Sequence, residues 1–186
     1  DIKFHKNKSS FKIVSKIYDD FNLEIECPGL HNVYNALAAT TLSLDMNISI
    51  NNIKKSLKKY SGVKRRFEIR YENTKKNIMI IDDYGHHPVE IRYTIDAIKS
   101  GWNNRLISIY EPHLYSRTSE FKKETAEALQ LSDKIIITDI FGSREKPIEN
   151  ITSKIITNEL NSLGHEDHIL IENKNKIANY LKNEIK

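Results

Sequence analysis

From Gly62 onward the sequence alternates between short Ile-rich runs and segments of helical periodicity. The apolar runs cover 78–81, 106–110, 135–137 and 168–171. Between them the spacing predicts helices over 88–100, 119–131 and 152–163, with a last one over 174–185. Ile91, Ile95 and Ile98 fall on one helical face, Ile156, Leu160 and Leu163 on another, and Ile177, Leu181 and Ile185 line the last. Few folds accept this pattern. A strand that is apolar throughout is buried on both faces, and parallel neighbours need a long crossover, usually a helix. The expectation is an α/β fold, a mostly parallel sheet with helices on both faces. Such a unit ordinarily returns to the sheet after its last helix, so a final strand is expected to be lacking.

Residues 1–62 follow another pattern. Phe11, Ile13 and Ile17 are spaced among polar residues, and Leu23, Ile25 and Cys27 alternate with Glu24 and Glu26. That predicts two strands around Asp19-Asp20, closed off by Pro28-Gly29. Val33, Leu37, Thr41 and Leu44 then predict a helix, with Asn32 as its cap. Ile50, Ile53, Leu57 and Tyr60 predict a second, opposite Lys54, Lys55, Lys58 and Lys59, ended by Ser61-Gly62. A hairpin and two helices without a buried parallel run read as the end of a larger domain. The boundary is expected at 62–64, dividing the chain into 1–62 and 63–186.

Composition narrows the function classes. The 186 residues are 39% hydrophobic, enough for a core. Lys+Arg 29 against Asp+Glu 25 leaves +4, with signs mixed along the chain, so a nucleic-acid arm or polybasic membrane patch is not indicated. No apolar run approaches the roughly 18 residues of a membrane helix, and residues 1–5 carry no signal-peptide core. One cysteine, Cys27, excludes an internal disulfide and a cysteine metal cage, which suits a reducing cytoplasm.

Ligands of open parallel sheets bind beyond the carboxyl ends of the strands. The segments after the first three runs are 82–88, 111–118 and 139–147, and they carry Asp83, His86, His87, His113, Arg117, Asp139 and Arg144. Each has a plainer reading. Asp82 or Asp83 can cap a helix starting at Pro88. Adjacent histidines on an extended loop point apart, and no third ligand is suitably spaced, so a metal is not expected. The 113–117 and 139–145 segments also fit solvated loops. Arg65-Arg66 fit either exposed surface or a phosphate site, since a guanidinium fork matches phosphate and stays charged. Capping explains Asn32 but leaves Asn35, on nearly the same face, to read a nucleotide edge or phosphate. Neither G-x-x-x-x-G-K-[ST] nor G-x-G-x-x-G occurs, and Ser116 lacks a nucleophile-elbow context.

Taken together, these segments resemble the Mur ligases. PGLHNVYNALAA (28–39) resembles their PG-x-HN-x-x-NALAA segment, and GVKRRFE (62–68) the start of their last domain. DDYGHHPVE (82–90), PHLYSRT (112–118) and DIFGSREKPI (139–148) are similar to DDYGHHPTE, PHRYSRT and DIY-x-x-x-EKPI in the members that add L-alanine to UDP-N-acetylmuramate. The five blocks are collinear and cover 28–150.

The resemblance implies a Rossmann-like C-terminal domain over 63–186, preceded by the tail of a central ATP-binding domain over 1–62. The implied reaction is amide formation in peptidoglycan precursor synthesis, in the cytoplasm. The muramoyl carboxylate takes the γ-phosphoryl group of ATP, and the amine of L-alanine displaces phosphate from the acyl phosphate. ATP and Mg2+ are the implied cofactors, with magnesium ligands mostly outside this chain. Asn32, Asn35, Arg66 and Asp83 are implied in ATP binding; Tyr84, His86, His113 and Arg117 in the amino-acid pocket; Arg66 and His86 in catalysis. The 186 residues alone are expected to be inactive. Leu114 stands where the family pattern has arginine, so either Arg117 alone holds the amino-acid carboxylate, or another cation such as Arg144 substitutes, or the amino acid differs. The competing readings are a murein-tripeptide recycling ligase of the same family and a non-catalytic nucleotide- or partner-binding module.

Overall fold

A computed structural model describes residues 1–185. The chain divides into two compact units, Asp1–Gly85 with Asp96–Asn104, and His86–Ile95 with the residues from Arg105 onward.

In the first unit, β1 (Ile2–His5), β2 (Lys8–Ile13) and β3 (Phe21–Ile25) form an antiparallel meander. The pairs Phe11↔Leu23 and Ile13↔Phe21 set the register. Phe21, Leu23 and Ile25 are buried while Asn22 and Glu24 are exposed, the period-2 signature of a sheet with one wet face. Two helices supply the cover, α1 (Leu30–Asp45) and α2 (Ile50–Lys59). Val33 and Ala36 join Phe11, Phe21, Leu23, Ile25 and Cys27 in one core, flanked by Ile50 and Leu57. The expected hairpin thus has a third strand, β1, which is short and mostly exposed.

Asn32 does not cap α1. The cap position is Gly29, and Asn32 lies inside the first turn, donating from Nδ2 to the Pro28 carbonyl at 2.7 Å. Gly29 is required there: its φ is +89°, and a Cβ would lie 2.8 Å from the His31 ring. Ser49 caps α2 by accepting the Asn52 N–H, and Lys58 and Lys59 sit in the last turn, where cations favour the helix dipole.

The run at 78–81 is a strand, β5 (Ile78–Asp82), but it pairs antiparallel with β4 (Glu68–Asn73), which the periodicity did not indicate. The run is only half-buried, with Ile80 exposed, and its apolar character does not fix the direction of its partner, so the parallel expectation fails for this strand. A register shift between Ile69 and Tyr71 bulges β4.

Helix α3 (Pro88–Gly101) contributes its first half to the second unit and its second half to the first. In the second unit, β6 (Ile107–Tyr110), β7 (Lys134–Ile137) and β8 (His168–Leu170) form a parallel sheet in that order. The crossovers are helical: α4 (Tyr115–Glu120) and α5 (Lys122–Leu129) between β6 and β7, and α6 (Lys154–Ser162) between β7 and β8. A 3-10 turn at Lys174–Lys176 leads into α7 (Ile177–Glu184). The single helix expected over 119–131 is broken at Phe121, whose φ, ψ of −109°, 23° leave the helical region.

Strand β7 explains the alternation. Ile135, Ile136 and Ile137 are all 0% exposed, as a central strand covered on both faces requires. Ile91, Ile95, Ala126, Leu129, Ile156 and Leu160 pack with Ile135 and Ile137. At the opening of β7 the almost buried Lys134 donates to Asp167 at 2.6 Å, with Glu184 at 3.4 Å and the Tyr180 ring centroid at 5.6 Å. Its ammonium is held well above the ordinary lysine range, first by the Asp167 hydrogen bond.

Candidate functional site

In the first unit, Asp83 follows β5 and organises the turn around it. Its Oδ2 accepts the Phe67 N–H at 2.8 Å and its Oδ1 the Gly85 N–H at 2.6 Å. The Tyr84 N–H donates to the Arg65 carbonyl at 2.7 Å. These bonds hold 65–68 against 83–85, with Arg65 and Phe67 in the left-handed region at φ 56° and 49°. The Tyr84 ring then takes two cations, Arg65 at 4.9 Å and Arg66 at 5.9 Å from its centroid. Arg65 also lies 3.5 Å from Asp82. Each Asp83 oxygen keeps a second lone-pair direction, so the carboxylate is fixed in orientation and can still accept hydroxyl hydrogens.

His31, in the first turn of α1, is pushed below the ordinary histidine value by burial; Asp83 opposes the shift and Arg66 adds to it. The structure thus brings His31, Arg66 and Asp83 into one electrostatic neighbourhood. Asn35, one turn beyond Asn32, is exposed. An exposed amide, two guanidinia and an oriented carboxylate suit a nucleotide. Neither Asp82 nor Asp83 caps α3. Glu90 does so, its Oε2 accepting the N–H groups of His86 and His87 at 3.0 and 3.2 Å. Glu90 thus makes the reciprocal half of a capping box, but His87 stands where that signature has Ser or Thr, so the sequence pattern is incomplete.

In the second unit the segments following β6 and β7 continue to pair. His113 and Phe141 form a parallel bridge, the Leu114 N–H donates to the Phe141 carbonyl at 3.0 Å, and the Phe141 N–H to the Pro112 carbonyl at 2.8 Å. Leu114 makes the bend into α4 at φ 68°. The His113 ring has His86 on one side at 5.5 Å and Phe141 on another at 5.7 Å. Arg117, on α4, is half-buried, and its Nη1 and the Nδ1 of His113 are enclosed without a hydrogen bond inside the protein. Buried donors of this kind cost free energy unless a partner supplies acceptors, and for a guanidinium the best match is a carboxylate.

The titration of His113 agrees. Burial pushes it below the ordinary value, and the charges of His86 and Arg117 add to that, against Glu145 and Glu111. Its ring is therefore neutral at pH 7 and available to accept or relay a proton. Tyr110, at the end of β6, is pushed up to about 12, chiefly by burial. Arg144 and Asp139 are exposed. Glu145 accepts from both the N–H (3.0 Å) and the Oγ of Ser116. Nothing local in the sequence signals that bond, which spans 29 residues. The His87 ring packs on Phe121 at 5.1 Å. Among the described residues no group of three or more His, Cys, Asp or Glu could hold a metal ion. Nor is any helix among them long and apolar enough to cross a membrane.

Of the residues singled out in the sequence, Asn32, Asn35, Arg66, Asp83 and Tyr84 lie in the first unit, and His86, His113 and Arg117 in the second.

Comparison with known proteins shows the family of the chain. Residues 65–186 match the family described as Mur ligase, glutamate ligase domain. A UDP-N-acetylmuramate–L-alanine ligase from Geotalea uraniireducens is 42% identical over 154 residues, covering 83% of this chain and 33% of the relative. One from Acetivibrio thermocellus is 38% identical over 183 residues, covering 98% of this chain and 38% of the relative. The chain therefore spans between a third and two fifths of these curated relatives. The crystal structure of a UDP-N-acetylmuramate–alanine ligase from Thermotoga maritima superposes on 95% of this chain and 37% of its own, with a TM-score of 0.79 at 28% identity. With the family match covering well over half of its residues, the chain belongs to the Mur ligase family.

Proposed function

We propose that this chain is the amino-acid-binding part, and a portion of the ATP site, of a cytoplasmic ligase. That ligase joins L-alanine to UDP-N-acetylmuramate through an acyl phosphate, in peptidoglycan precursor synthesis. The observation that carries the reading is the 42% identity with a relative named for that reaction, over 83% of the chain. Residues 1–62 are read as the end of the central domain and 63–186 as the C-terminal domain, supported by a family match that begins at residue 65.

Each residue has a physical task. Asp83, oriented by two backbone N–H groups, accepts the ribose hydroxyls of ATP. Asn32 and Asn35 offer amide donors and acceptors to the nucleotide, and Arg66 neutralises phosphate charge. Tyr84 supplies an aromatic wall whose orientation the two arginines fix. Arg117 forms a charge-assisted fork with the alanine carboxylate. His86 and His113 accept hydrogen bonds from the alanine ammonium, and the neutral His113 ring takes one of its protons to become imidazolium, freeing the amine lone pair for attack. Positioning and charge neutralisation dominate, as phosphoryl chemistry requires. Mg2+, when bound, would neutralise charge on the triphosphate.

The test is reconstitution with the full-length protein, ATP, Mg2+, UDP-N-acetylmuramate and one amino acid at a time, following phosphate release and product mass. L-alanine is expected to give the amide product. Reaction only with a peptide would shift the reading to the recycling ligase, and none with any acceptor would remove it. The 186 residues alone, which hold no P-loop sequence, are expected to release no phosphate.

A further inference from the structure

We infer that Glu145 is a positioning residue for the amino-acid subsite: through Ser116 it clamps the first turn of α4 and so sets where Arg117 and His113 stand. The inference rests on the reading of that subsite given above, and it concerns a residue to which no role has been given there.

A helix start leaves backbone N–H groups without intrahelical partners, and a Ser, Thr, Asp or Asn at the cap usually supplies an acceptor. Helix α4 has none. Its cap residue is Leu114, with no side-chain hydrogen bond to offer. The acceptor comes instead from the loop after β7, where the Glu145 carboxylate takes the Ser116 N–H at 3.0 Å on one oxygen and the Ser116 hydroxyl on the other. Because both oxygens are engaged by one residue, the carboxylate fixes rotation as well as distance.

The approach is built into the loop. The Glu145 N–H donates to the Gly142 carbonyl at 2.9 Å, turning 142–145 back on itself. That turn lies on the Tyr115 ring so closely that a Cβ on Gly142 would sit 2.6 Å from Tyr115 Cε2. Tyr115, Ser116 and Arg117 are consecutive, so the turn grips the two residues before the guanidinium. Upstream, the Phe141 and Leu114 backbone bonds tie the same loop to His113. On the far side of the bend, the Thr118 hydroxyl donates to the Leu114 carbonyl at 2.7 Å. Arg117 and His113 are thus held between two points fixed by one loop, while the side-chain hydrogen bonds of Glu145 go to Ser116.

Glu145 also acts at a distance. Its carboxyl is held below the usual range, first by the Ser116 hydroxyl, and its charge works against the depression of His113. The clamp and the charge can be separated. Gln keeps an acceptor for the Ser116 N–H and a donor for its hydroxyl but drops the charge; Ala drops both.

The experiment uses the full-length protein with Glu145→Ala, Glu145→Gln and Ser116→Ala, each checked for wild-type thermal unfolding. A misplaced reacting group costs up to about a hundredfold, so Glu145→Ala is expected to raise KM for L-alanine by roughly tenfold or more while KM for ATP stays put. Glu145→Gln is expected to recover most of that loss, and Ser116→Ala to lie between the two. In the titration of the His113 ring followed by NMR, both Glu145 variants shift His113 further down. A folded Glu145→Ala variant with wild-type KM for L-alanine, or one whose KM for ATP rises equally, overturns the inference while leaving the ligase reading intact. If the wild-type protein itself does not respond to L-alanine, the ligase reading fails and the positioning role falls with it.

Discussion

The carboxylate of Asp83 accepts the backbone N–H of Phe67 at 2.8 Å across sixteen residues of chain, while its other oxygen holds Gly85. The side chain is therefore both structural and, on the proposed reading, functional. Both demands call for an acceptor on each oxygen. Asparagine is the informative substitution, since either orientation of its amide puts an NH2 against a backbone N–H. Asp83→Asn is expected to cost about 1–3 kcal/mol, seen as a lower urea midpoint, and to raise KM for ATP in the full-length protein. Unchanged stability and ATP affinity would remove Asp83 from both roles.

Gly29 begins α1 at a φ of +89°, with His31 and Ala97 where a Cβ would go. Gly29→Ala combines left-handed strain with a steric overlap and is expected to cost about 1–3 kcal/mol. Thermal unfolding of the variant checks this, and a loss below a few tenths would show that the turn relaxes freely.

Lys134 opens the most buried strand of the parallel sheet yet carries a charge, answered by Asp167 and Glu184. Removing the ammonium strands those carboxylates and leaves a gap. Because Asp167 is itself about half exposed, part of its charge returns to water, and the loss is expected near the lower end of values for broken buried pairs. Lys134→Ala should therefore cost about 2–3 kcal/mol by denaturant titration. Lys134→Met, which restores apolar volume, should cost less.

His31 and His113 are both held below the ordinary histidine value of 6.5, each primarily by burial. In the unfolded chain they bind protons near that value, so the unfolded state holds more protons than the folded one as pH drops beneath it. Stability is expected to be constant in this contribution above pH 7 and to fall as pH is lowered from about 6.5. Around His113 the acting charges are His86, Arg117, Glu145 and Glu111, and around His31 Asp83 and Arg66. His113→Gln is expected to flatten the acid side of the profile; a slope equal to wild type would contradict the assignment.

The parallel sheet and its helices were legible in the sequence because burial on both faces leaves a run such as Ile135-Ile136-Ile137 no polar position. Strand β4 was not read, although Ile69 and Tyr71 alternate with Arg70 and Glu72 in the period-2 manner of a half-exposed strand, because no apolar run of the kind that marks the other strands of this half picks it out. Pairing direction was equally hidden: β5 looks like a parallel strand by composition and is antiparallel by partner. Asn32 has the residue type of a cap, but Gly29 can adopt the positive φ from which the helix starts, so the helix starts earlier. The candidate loops were visible from their position after the strands. Their support was less so: Glu90 makes only half of a capping box, without the Ser or Thr that would mark it, and Glu145 meets Ser116 only through the fold.

The central claim is that the paired loops after β6 and β7 present Arg117 to the carboxylate of an amino acid. The direct measurement is steady-state kinetics of the full-length protein with Arg117→Ala and Arg117→Lys. The account predicts that kcat/KM for L-alanine falls about a hundredfold or more in Arg117→Ala, that lysine recovers only part because it lacks the fork, and that KM for ATP is nearly unchanged. An Arg117→Ala protein that ligates L-alanine at the wild-type rate and affinity would contradict it.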